Sequence, residues 1–147
     1  MYNETIINAY GKVQKLNNPE ELYLDVFIEE SIADYKTVKE LMPALNIPNY
    51  KDLLITDVKI HFWGEPTKFN TELEATLPLG EIACSGFMDV SAEPMEYDLE
   101  FSTKNANVKE IIGIESKINS RGFIKGNGVD PTTLQADLEI LITDSEF

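Results

Sequence analysis

Few side chains of this chain could do chemistry. His61 is the only histidine, and it stands in an alternating run that sets Val58, Ile60 and Phe62 against Lys59, His61 and Trp63. A zinc set needs three or four ligands, and no second histidine exists to build one. The position reads as a surface or edge histidine of a strand. Cys84, the single cysteine, shares one side of a period-two pattern with Ile82 and Met88, which suits a small buried hydrophobe better than a nucleophile. Nothing in the sequence positions it against His61. Gly126-Asn127-Gly128 resembles part of a phosphate loop, but the third glycine and the Lys-Ser/Thr pair are missing. The run after Pro131 is strand-like where a phosphate site needs a helix N-terminus, so the segment reads as a turn. Asp130 lacks the Asp-x-Asp-x-Asp-Gly spacing of a calcium loop. Glu72, Glu74, Asp137 and Glu139 recur at period two, the pattern of a solvated strand face. Asn3-Glu4-Thr5 matches a glycosylation sequon, a three-residue coincidence of little weight. The expectation is a non-enzymatic protein with no metal and no cofactor.

The elements that must carry these residues are mostly strands. Tyr2 to Gln14 is rich in Ile, Tyr and Val, and Leu22 to Ile28 alternates Leu22, Leu24, Val26 and Ile28 against Tyr23, Asp25 and Phe27, with Asn17-Asn18-Pro19 as the turn between. From Asp34 the spacing becomes helical (Val38, Leu41, Met42), with Asp34 as N-cap and Pro43 and Pro48 as stops. Strands resume from Leu53 to Trp63 and from Phe69 to Leu77, with turns at Gly64-Glu65-Pro66 and Pro78-Leu79-Gly80. Ile82, Cys84, Gly86, Met88 and Val90 fall on one face of the next strand; Met95, Tyr97, Leu99 and Phe101 fall on one face of the strand after Ala92-Glu93-Pro94. Asn107 to Gly113 reads as a helical turn closed by glycine. Two final strands span about Ser116 to Lys125 and Thr133 to Thr143. The fold class expected is mainly β: an antiparallel meander curled into an open groove or a sandwich-like sheet, with one or two short helices.

The chain also repeats itself. Pro66 to Glu74 aligns without a gap on Pro131 to Glu139, each after a glycine (Gly64, Gly128), and Gly11, Pro19, Tyr23 and Leu41 are echoed by Gly86, Pro94, Tyr97 and Ile111. We read residues 1–147 as a single β-repeat segment with an internal repeat of about 1–80 and 81–147, excised from a longer protein, because period-two patterning runs almost to Phe147. The 12 Lys and Arg against 26 Asp and Glu give a net charge of −14, which argues against nucleic acid and anionic headgroups as partners. One cysteine excludes an intramolecular disulfide. The longest apolar runs fall far short of the roughly 20 residues that span a bilayer, and no secretory signal stands near Met1.

What remains is an apolar set: Leu73, Ala75, Leu77, Ile82, Cys84, Met88, Val90, Leu99, Phe101, Leu138, Ile140 and Ile142. In a regular meander these form a stripe across successive strands. Covered by a second layer, the stripe is ordinary core; uncovered, it is an apolar trough suited to acyl chains. Alternation is the same in both cases.

The order Gly11-Lys12-Val13, Asn18-Pro19, Leu41-Met42-Pro43, Ile47-Pro48, Trp63-Gly64, Phe69, Pro78-Leu79-Gly80, Tyr97, Val108 to Gly113 and Gly126 to Leu134 resembles interior segments of TamB-like (translocation and assembly module) proteins of the AsmA-like superfamily. The resemblance implies a periplasmic rod anchored in the inner membrane, its strands curled into a β-taco whose hydrophobic groove serves phospholipid transport and outer-membrane biogenesis. The implied partners are phospholipid acyl chains, flanking segments of the same longer chain and an outer-membrane assembly protein. An isolated segment would also be open to edge-to-edge homodimerisation. The competing expectation is a closed β-sandwich, an adhesin-like module binding a protein or glycan through its acidic surface and Tyr97, Trp63 and Phe62.

Overall fold

A computed structural model describes residues 5–34, 36–37, 40, 54–107, 109, 115–128, 132 and 134–146. The alternating runs form eight strands: β1 (Ile6–Gln14), β2 (Tyr23–Asp34), β3 (Leu54–Gly64), β4 (Lys68–Leu77), β5 (Gly80–Asp89), β6 (Glu96–Ala106), β7 (Lys117–Asn127) and β8 (Gln135–Glu146). They lie in one sheet in chain order, every neighbouring pair antiparallel. The mainly β meander is therefore the fold, in its open form. β1 and β8 are its two edges, and among the described residues no second sheet packs on either face. A 3-10 turn, Pro19–Glu21, follows the expected Asn17-Asn18 turn.

β2 runs six residues beyond the Ile28 expected from alternation. The cause is a bulge. Glu30 takes a left-handed φ of 48°, the pairing slips between Ile28 and Ser31, and the apolar period breaks while the strand continues. Asp57, Asn105 and Asp144 are also left-handed, and the β3–β4, β6–β7 and β7–β8 ladders slip beside them. All four bulges lie toward the end of the sheet that carries the β2–β3, β4–β5 and β6–β7 connections.

Two of the bulges are clipped in the same way. The Asn8 N–H donates to Ser31 Oγ at 3.0 Å, the Asn8 amide to the Glu30 carbonyl at 3.3 Å, and Ser31 Oγ to the Glu29 carbonyl at 3.0 Å. At the far edge the Asn119 N–H donates to Ser145 Oγ at 3.2 Å, the Asn119 amide to the Asp144 carbonyl at 3.0 Å, and Ser145 Oγ to the Thr143 carbonyl at 3.0 Å. In each hairpin one asparagine and one serine satisfy the backbone groups that the bulge removes from the ladder.

The helices expected after Asp34 and over Asn107 to Gly113 fall largely outside the described residues. The cap itself is described: the Thr37 N–H donates to the Asp34 carboxylate at 2.8 Å, the geometry of an N-cap, and this bond, with that of the Thr37 hydroxyl, lowers the Asp34 pKa. Among the described residues no helix is long and apolar enough to cross a membrane.

One sheet cannot make a core. Among the described residues only Ala75 and Tyr97 are buried apolar residues, at 7% and 8% exposure. The molecule exposes 10642 Å², whereas a compact monomer of 16.6 kDa would expose about 7,600 Å². Apolar side chains that a sandwich would bury are left half-covered by their strand neighbours.

Candidate functional site

Directly opposed residues of antiparallel strands share a face, so the pairings can be followed across the whole sheet. One row runs Gly11, Val26, Phe62, Thr71, Gly86, Leu99, Ile124, Leu138. The parallel row two residues away runs Ala9, Ile28, Ile60, Leu73, Cys84, Phe101, Gly122, Ile140. A third, on the other side, runs Val13, Leu24, Gly64, Phe69, Met88, Tyr97, Gly126, Ala136. These rows form an apolar face that crosses all eight strands without a charge. Phe62 and Phe69 pack on it with ring centroids 4.3 Å apart, tilted by 34°.

Eleven of the twelve expected stripe residues lie here: Leu73, Ala75 and Leu77 on β4, Ile82, Cys84 and Met88 on β5, Leu99 and Phe101 on β6, and Leu138, Ile140 and Ile142 on β8. Val90 does not. Asp89 ends β5, and Val90 enters the following turn, where its N–H donates to the Thr67 carbonyl at 2.8 Å and its side chain is exposed. Residues of β1, β2 and β3 belong to the face and were not foreseen in it, although Leu24, Val26 and Ile28 showed the signal. The contribution of β7 was hidden because Ser120, Gly122 and Gly126 leave little apolar alternation to read. Cys84 is half-buried on this face between Leu73 and Phe101, and burial pushes its thiol pKa up, away from nucleophilic use.

The opposite face is polar. Its central row runs Lys12, Asp25, Trp63, Asn70, Phe87, Asp98, Lys125, Asp137. Glu72, Glu74, Asp137 and Glu139 stand on it exposed, as expected. Lys125 reaches Asp98 at 2.6 Å and Lys59 reaches Glu74 at 3.6 Å. Shallow depressions on this face are floored by the small Ala83, Ser85 and Ser102, between Lys59, Glu74 and Glu100. Here too lies His61, an interior position of the sheet and not an edge. Its ring stacks on Phe27 at 4.0 Å and contacts Trp63 at 4.4 Å, while Phe27 stacks on Tyr10 at 5.3 Å. His61 Nε2 is 2.9 Å from Asp25 Oδ1. Among the described residues no group of His, Cys, Asp and Glu is placed to hold a metal ion.

Among the described residues Asp89 is the one carboxylate of this face that is nearly buried. It accepts bonds from the Ser91 N–H, the Ser91 hydroxyl and the Ala92 N–H at 3.0, 2.6 and 3.1 Å, and pairs with Lys68 at 3.0 Å. The Ser91 hydroxyl above all, then Lys68, draw its pKa down to about 2. The group fastens the β5–β6 turn.

No family model, curated protein or solved structure matches this chain.

Proposed function

We propose that the chain is a non-enzymatic segment of a TamB-like, AsmA-like-superfamily envelope protein, acting in the periplasm, and that its apolar face carries phospholipid acyl chains. One observation supports this most: an apolar face continuous over eight strands, with no covering layer among the described residues. An acyl chain laid across it would be kept from water at about 0.8 kcal/mol per methylene. Rows of similar side chains offer successive equivalent positions, so a chain could slide without a large barrier between them. The polar face, with Glu72, Glu74, Glu100 and Glu139 outward, keeps the segment in water. Flanking segments of the same longer chain would extend the face at both edges, and an outer-membrane assembly protein would receive the rod's end.

The competing module, a closed β-sandwich binding a protein or glycan, is less well supported, because the sheet is open. Tyr97 is buried and Phe62 half-buried on the apolar face, whereas Trp63 projects from the other, so the three aromatic rings do not converge on one platform.

Native mass spectrometry of the purified protein, followed by organic extraction, tests the proposal. Phospholipid bound at defined stoichiometry and lost in Leu99→Asp is the expected result. A lipid-free protein that also rejects added phospholipid would overturn it.

A further inference from the structure

The two edges of the sheet are complementary to each other. The apolar row that starts at Gly11 on β1 returns to glycine four strands later, at Gly86 on β5, and ends at Leu138 on β8. A ninth strand continuing that period would place glycine opposite Leu138. β1 is such a strand, and its Gly11 and the Gly86 of β5 are built alike: a Cβ on either would strike the carbonyl oxygen of an aspartate on the next strand, Asp25 or Asp98.

We propose that β8 of one molecule pairs antiparallel with β1 of a second copy, head to tail, with Leu138 opposite Gly11 of that copy. The glycine period and a charge pair select the register; the faces and the hydrogen-bonding parity are consistent with it. Residues 7–14 and 135–142 would align with apolar side chains on one face throughout: Ala136 meets Val13, Leu138 meets Gly11, and Ile140 meets Ala9. On the polar face the same register sets Asp137 opposite Lys12, a cross-strand pair of the kind Asp98 already makes with Lys125 at 2.6 Å. The hydrogen-bonding parity also agrees. Along each row the pairs alternate between bonded and non-bonded types, so the β8–β1 junction has the type of the β4–β5 junction. The exposed large apolar residues concentrate at these edges, with Ile7 at 50%, Val13 at 48%, Leu138 at 58% and Ile140 at 52%. Neither β1 nor β8 contains proline, which commonly protects such edges. The contact is heterologous, so it builds an extending ribbon of copies and not a closed two-fold dimer. It does not depend on the lipid reading, since a lipid-free protein would still present these edges; in a longer chain a flanking segment would take the place that the second copy takes here.

A one-to-one mixture of unlabelled and 15N-labelled protein, treated with a carbodiimide over a concentration series, tests the register. The expected product is a mixed-label amide between Lys12 and Asp137, appearing with oligomers of rising size. The Lys125–Asp98 amide, formed within one molecule, is the internal control. A Lys12–Asp137 amide found only within single-label molecules would mean that the sheet closes on itself, and would overturn the proposal. So would β1–β1 or β8–β8 products, or a monomer at every concentration. Asp137→Lys and Lys12→Asp should each weaken association about fivefold at low salt, and the double reversal should restore it. General self-repulsion predicts the opposite sign for Asp137→Lys, because that change lowers the net charge from −14 to −12.

Discussion

The two faces of this sheet are made from the same strands, yet they are held in different ways. On the apolar face the contacts are row on row of aliphatic and aromatic side chains with no specific geometry beyond their spacing. On the polar face they are discrete: a ring ladder from Tyr10 through Phe27 and His61 to Trp63, the Lys125–Asp98 pair, and the Asp89 turn. A surface of the first kind is tolerant of what lies on it, because dispersion and water exclusion depend on area and not on orientation. A surface of the second kind fixes register. The division of labour follows: the polar face and the backbone define the sheet, and the apolar face is left available.

The sharpest way to break both faces at once is to attack the backbone between them. Gly86 has φ of +144°, a region that L side chains rarely enter, and its Cβ would strike the Asp98 carbonyl oxygen on β6. Gly86→Val should cost about 3 kcal/mol or more by combining strain with a lost ladder. Denaturant unfolding followed by circular dichroism would show it, and a midpoint equal to that of the unmodified protein would mean that this approach of β5 to β6 is not needed.

Acid should separate the faces next. Asp89 has a folded pKa of about 2 against an ordinary 3.8, so it binds a proton less readily when folded than when unfolded. Its contribution is complete above about pH 4 and is lost as pH falls through 2. Asp89→Asn should therefore melt below the unmodified protein at neutral pH, with the gap in Tm closing between pH 4 and pH 2. A gap that is constant with pH would show that the Ser91 and Ala92 bonds act through shape alone.

How much of this was readable beforehand depends on the range of the signal. Period two is local, so the strands and the stripe on β4, β5, β6 and β8 could be read from alternation. What depends on register could not. His61 finds Asp25 and Phe27 across β2 only because Phe27 sits opposite it, and no local pattern specifies that pairing. The Asn8–Ser31 and Asn119–Ser145 clips are likewise tertiary, although Glu30-Ser31 and Asp144-Ser145 are related dipeptides that could have suggested them. The rows also relate strands that local patterning cannot relate. Sequence matches Leu138 with Leu73, whereas the rows place Leu138 at the position of Thr71, on the same face.

The smallest effects sharpen the comparison most directly, because Leu99 and Glu100 are neighbours on β6 that point to opposite faces. Leu99→Ala removes half-buried aliphatic surface from the middle of the apolar row and should cost about 1.5 kcal/mol, less than a truncation in a closed core because solvent already reaches the site. Glu100→Ala removes an exposed carboxylate from a crowded acidic face and should stay within about 0.5 kcal/mol of zero. Urea unfolding of the two variants side by side measures the difference. If added phospholipid stabilises the unmodified protein and the Glu100 variant but stabilises Leu99→Ala less, the ligand lies on the apolar face, since only that variant changes the surface beneath it. Equal stabilisation of all three would place the lipid elsewhere.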